Sequence, residues 1–154
     1  MKRIIFFAAI LVLCGACEEE AAGTRVTVPA SGEVVYGLNN VSFQAPEDTF
    51  SRDITFDMSV VDEHVSADGV RIVSDVYEFG PAAKFLDAPI TVSLPFDGSL
   101  LEGPRGNILG ATAVSLSGNW ETFECEISQN GDFVSCPVDT LRYLAVIELV
   151  EEEE

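Results

Sequence analysis

The sequence predicts an all-β protein organised as a single antiparallel β-sandwich, and three observations lead there. Val, Ile, Thr and Phe recur in short alternating runs from Thr24 onward, the period of a strand with one buried face. Gly, Pro and Asn punctuate these runs at close intervals, where turns need them. No segment holds a 3.6-residue period over the length of a helix.

The chain begins differently. Lys2 and Arg3 precede an apolar run from Ile4 to Leu13, followed by small residues. This is the pattern of an export signal, a short helix removed on maturation. It is too short to span a bilayer, which takes roughly 20 apolar residues. Leu11 to Cys17 resembles the signal of bacterial lipoproteins, in which a cysteine after small residues is acylated and becomes the new N-terminus. Gly15 and Ala16 precede Cys17, whereas Leu13 precedes Cys14, so the resemblance implies lipidation at Cys17. Residues 1–16 are then the signal peptide. An ordinary signal cut near Ala22 is the alternative.

Residues 17–23 read as an acidic tether, residues 24–150 as the β-sandwich domain, and residues 151–154 as a disordered acidic tail. Glu18, directly after the cysteine, resembles the sorting pattern for the outer membrane, on its periplasmic face or at the cell surface.

Within the domain, Arg25 to Val28 alternates and stops at Pro29. Glu33 to Tyr36 and Val41 to Gln44 follow, with Gly37 and Asn39-Asn40 between them. Asp53 to Val60 is the cleanest strand: Ile54, Phe56, Met58 and Val60 face a core, and the residues between them face water. A polar loop from Asp62 to Gly69 carries the only histidine, His64. Val70 to Phe79 reads as one strand ending at Gly80-Pro81. Pro89 to Pro95 reads as a strand fenced by prolines, which suits a sheet edge or a strand terminus. Asp97 to Arg105 is a Gly/Pro loop, Ile108 to Leu116 a strand, and Ser117 to Asn119 a turn into Trp120. Arg142 to Val150 is the final strand.

The segment from Trp120 to Val138 reads as a hairpin about Asn130-Gly131, the favoured two-residue type I′ turn. That register sets Cys125 opposite Cys136, Phe123 opposite Val138 and Ile127 opposite Val134, all on one apolar face. A Cys125–Cys136 disulfide follows, at a hydrogen-bonded position of the ladder. Pairing these two leaves an even thiol count in an oxidising compartment once Cys17 is lipidated and Cys14 is discarded with the signal.

Two stretches carry a second resemblance: Val76 to Pro81 with Phe85, and Ala88 to Asp97 with its Pro89-Ile90-Thr91-Val92-Ser93-Leu94-Pro95 core. They resemble the ZU domain of zonula occludens proteins, netrin receptors, ankyrins and bacterial surface proteins. The resemblance implies a β-sandwich with Phe79, Phe85 and Trp120 in its core, and it points to a fold rather than to an activity. Some relatives cleave themselves at a His-Phe-Ser. Thr140-Leu141-Arg142 stands at that place here, so neither the His nor the Ser is present.

Composition narrows the function further. The formal net charge is −18 over 154 residues, and losing Lys2 and Arg3 with the signal deepens it. Such a surface disfavours nucleic acid, whose binding needs cationic side chains against phosphate. It also disfavours unaided docking on anionic lipid, so the membrane is reached through the N-terminal acyl chain. No phosphate-binding loop, dinucleotide fingerprint or zinc motif is present, and the expectation is no cofactor, no metal and no catalytic residue. Asp53, Asp57, Asp62, Glu63 and Asp68 lie near one strand and its following loop. Calcium is a second reading for them beside simple solvation.

The expected function is therefore a non-catalytic envelope lipoprotein with an envelope or extracellular protein as partner. A self-processing or hydrolytic envelope enzyme is the alternative.

Overall fold

The computed structural model describes residues 23–62, 70–101 and 107–150. Cys17, the signal, all of the tether except Gly23, Glu63, His64, Asp68 and the acidic tail lie outside the described residues. What is described is mostly β, in two antiparallel sheets. Two single 3₁₀ turns, Leu38–Asn40 and Gly98–Leu100, fall between strands.

The first sheet joins β1 (Thr24–Val28), β4 (Ile54–Val60), β6 (Tyr77–Gly80), β12 (Tyr143–Leu149), β8 (Ile108–Ala113) and β9 (Glu121–Phe123), in that order. β5 (Val70–Ile72) is a further partner of β12. The second joins β10 (Glu126–Ile127), β11 (Phe133–Leu141), β7 (Lys84–Pro95), β3 (Ser42–Gln44) and β2 (Val35–Tyr36).

The alternation of β4 is as expected, with Ile54, Phe56 and Met58 buried and Thr55 exposed. Both sheets feed one hydrophobic core. At its centre Phe43 from β3 meets Phe56 from β4 and Phe79 from β6 edge to face. The ring centroids are 5.1, 6.0 and 5.4 Å apart, the arrangement that aromatic quadrupoles favour.

Several expectations about elements are corrected. Val70 to Phe79 is not one strand, because β5 and β6 are separated at residues 73–76. Both pair with β12. Across the gap Val73 N–H still donates to Val146 O, and Ser74 Oγ accepts the Val146 N–H at 2.8 Å. A side chain thus satisfies a buried amide that a ladder would otherwise take.

The proline-fenced segment is not an edge, although Pro95 does stand at the strand terminus. β7 runs for 12 residues and lies in the middle of its sheet. Its pairing with β11 jumps from Phe85↔Thr140 to Ile90↔Val138. Pro89, which has no N–H to give, falls in that bulge.

Phe85 is not in the core. It is 71% exposed, whereas Phe79 is buried. Trp120 is only half-buried and stands outside the core cluster.

The hairpin has the expected register but not the expected turn. Glu126↔Ser135 and Ile127↔Val134 pair as the sequence suggests. Yet Gly131 has φ 73° while Asn130 is not in the left-handed region, and a type I′ turn needs both. The ladder closes instead at Ser128 N–H to Phe133 O, with Gly131 N–H donating to Ser128 O inside a four-residue loop. Moving the closure by one pair reverses the alternation along the ladder. Cys125 and Cys136 therefore occupy a non-hydrogen-bonded position, with Cα atoms 4.5 Å apart, the spacing typical of such pairs. They form the expected disulfide. Phe123 does not continue the hairpin to Val138. It pairs with Gly110 in the other sheet, so the chain changes sheets at Glu124-Cys125.

Tyr77 is wholly buried, and its hydroxyl makes no well-formed hydrogen bond among the described residues, with the Asn39 and Asp75 side chains as its polar neighbours. Asp75, itself held by Asn39 Nδ2 at 2.9 Å, lies near it. Burial first, and the Asp75 charge second, push the phenol up to about 12. In the unfolded chain it ionises near 10. Between those values the unfolded state has lost the proton that the folded state keeps, so this contribution to stability falls as pH rises. We expect the melting temperature to drop through that window in a pH series, and the drop to be shallower in Tyr77→Phe.

Candidate functional site

The sequence-derived candidates scatter. Asp57 is paired with Arg25 across β4 and β1, with Nε 2.9 Å from Oδ1. The Arg25 hydrogen bond holds its carboxyl below the usual carboxylate range. Asp53 Oδ1 accepts the Ala30 N–H at 3.0 Å. Asp62 is exposed at the limit of the described residues. Among the described residues no group of three or more His, Cys, Asp or Glu side chains is arranged to hold a metal ion.

Thr140 lies in β11, where its hydroxyl donates to Asp139 Oδ1 at 3.2 Å. Its carbonyl accepts from Thr112 Oγ1, which also donates to Tyr143 O. Those bonds pin the point where β11 ends in one sheet and β12 begins in the other. Next to it, the Arg142 guanidinium sits 4.8 Å from the Tyr143 ring centroid and 2.8 Å from Glu78 Oε1, and it donates to Phe79 O and Pro81 O. The set acts as a clamp on a crossover.

What sequence reasoning missed is a groove. After Gln44 the chain leaves β7 through Ala45 and Pro46, and a proline cannot donate to a ladder. β3 therefore covers only Thr91–Ser93 of the 12-residue β7. Upstream, Lys84–Asp87 pairs with β11 at Lys84 and Phe85 on one side. On the other side no strand or backbone hydrogen bond reaches these residues among those described. That side faces the Thr49–Ile54 segment across an open cavity of about 360 Å³.

The groove has an apolar base and a mixed rim. Phe50 and Leu86 line it and pack on the hydrophobic core, and Phe85 stands exposed beside them. Lys84 Nζ donates to the Thr55 carbonyl. Arg52, exposed on the rim, makes no hydrogen bond or ion pair among the described residues. The other described cations are engaged: Arg25 with Asp57, Arg71 with Glu148, Arg142 with Glu78. Asp87 also lines the cavity, exposed and likewise unpartnered among the described residues.

The signal for this site was present in the sequence as Phe85, whose resemblance-based place is the core. Its parity was the clue: alternation along β7 turns Leu86, Ile90, Val92 and Leu94 inward, so Phe85 falls on the exposed side with Asp87, Pro89 and Thr91. No protein-family model matches this chain, and no curated protein matches it.

Proposed function

We propose that the chain is a non-catalytic lipoprotein of the bacterial cell envelope, acylated at Cys17 and carrying a ZU-type β-sandwich as a binding or structural module. The observation that carries this reading is the Cys125–Cys136 disulfide. With those thiols joined to each other, Cys17 is the cysteine left for a lipid once the signal containing Cys14 is removed. A cross-strand disulfide also fits an exported protein better than a cytosolic one.

A single core fed by both sheets supports a sandwich. Phe79 at its centre and the Gly80-Pro81 strand end agree with the ZU resemblance, although Phe85 departs from the core role that resemblance implies. Glu18 after the cysteine favours the outer membrane.

Intact-mass analysis of the protein extracted from membranes tests the anchor. The expected species begins at Cys17 and carries acyl chains. Cys17→Ser is expected to move the protein from the membrane fraction to the soluble envelope fraction or to leave an unprocessed precursor. A mature N-terminus beyond Cys17 would overturn the reading.

A further inference from the structure

We infer that the groove along the uncovered side of Lys84–Asp87 takes an extended acidic peptide of a partner protein, added as a strand to β7.

Three observations converge on an extended chain as occupant. β7 carries on past the last residue β3 covers, so a sheet edge stands open beside a cavity. Alternate backbone N–H and C=O groups on such an edge call for the ladder partners that another strand supplies. Beneath it, Phe50 and Leu86 offer an apolar floor continuous with the core, and Phe85 offers an exposed aromatic wall. Side chains alternating along an added strand fit such pockets every second residue.

Charge selects among extended peptides. The molecule is strongly acidic, yet this groove holds Arg52 and Lys84 together. Arg52 has its guanidinium free for a carboxylate among the described residues, and a guanidinium can grip a carboxylate with two parallel hydrogen bonds. Of the acids in the groove, Asp53 is occupied by the Ala30 N–H. Asp87 is left unpartnered among the described residues to repel a carboxylate, so the ligand's acidic residues are directed to Arg52 and away from Asp87. Elsewhere the acidic surface repels the same peptide at long range.

This inference rests on the binding-module reading and not on the lipid. It is tested on the full mature chain with isotope-labelled backbone amides. The probe is a blocked octapeptide of alternating valine and threonine ending in two glutamates, with the same peptide ending in two lysines as comparison. The acidic peptide is expected to shift the Lys84–Asp87 amides saturably and to slow their hydrogen exchange. Arg52→Ala should weaken its binding about tenfold, as loss of a charge-assisted contact does, with the denaturation midpoint unchanged. Asp87→Asn should tighten it.

Equal binding of the lysine peptide, or an unaltered affinity in Arg52→Ala, would overturn the proposal. So would identical shifts on concentrating the protein without peptide, which would mark a second copy as the occupant. Shifts confined to the outer edges of β1, β2 or β10 would overturn the groove while leaving a binding module. Absence of acyl chains at Cys17 would overturn the anchor while leaving the groove.

Discussion

Truncating Phe43 to alanine is expected to remove about 3–5 kcal/mol of stability, the range for losing a buried phenylalanine. Phe43 is completely buried and is the ring through which β3, in one sheet, meets Phe56 and Phe79 in the other. Few atoms are placed to collapse into the space, because the Phe56 and Phe79 rings already brace each other at 5.4 Å. Total stabilities run at about 5–15 kcal/mol, so the variant would stand near the limit of folding. Phe85→Ala is the matched comparison. It deletes the same atoms from a site that is 71% exposed, and a change within about 0.5 kcal/mol is expected. Urea denaturation of both variants checks the pair. Similar losses in both would mean that Phe85 belongs to the core after all.

Replacing Cys125 and Cys136 together with serine is expected to cost about 3 kcal/mol. That figure is the loop-closure term for a bridge whose ends lie 11 residues apart. A second effect separates this bridge from a simple staple. A Cβ added to Gly110 on β8 would lie 2.3 Å from Phe123 Cε2 and 2.8 Å from Cys125 Sγ. Phe123 is the cross-strand partner of Gly110 in the same sheet, and the disulfide reaches to β11 in the other sheet. Both therefore rest directly on the bare backbone of β8. Gly110→Ala should destabilise the oxidised protein by about 1–3 kcal/mol, since a well-packed site has no slack for a methyl group. In the serine background the hairpin can lift, and the same substitution should cost less. Thermal melts of the four proteins measure this coupling, which contacting residues commonly show. Additive losses would mean that the bridge does not hold Phe123 against Gly110.

Strands with strict alternation are legible in the amino-acid sequence alone. Asp53 to Val60 can be oriented residue by residue, because one face of β4 packs on the core and the other meets water. The disulfide is legible because pairing register survives a change in turn type, provided the loop stays even in length. The turn itself is not. Asn-Gly favours a two-residue connection locally, but Phe133 N–H bonds the Ser128 side chain and Gly131 N–H takes the Ser128 carbonyl, and those contacts close a larger loop. Periodicity also says nothing of where the chain changes sheets. Phe123 and Cys125 look like one continuous strand, yet they serve opposite layers. Phe85 hints at the groove, but its open edge is illegible for a related reason. An unpaired strand edge is defined by what another strand fails to cover, and β3 pairs β7 only at Thr91–Ser93 before the chain reaches Pro46.

The position of β12 carries a consequence for how the protein is made. It is the last described strand in chain order, yet it lies between β6 and β8. β1, β4 and β6 on one side and β8 and β9 on the other are joined within their sheet through it alone, among the described residues. A chain emerging from N- to C-terminus can therefore pair its early strands only in fragments. The sheet becomes continuous when residues 143–149 arrive, so completion is a late event governed by long-range encounter, which folds slowly. Until then the edges of β6 and β8 that β12 covers stay open.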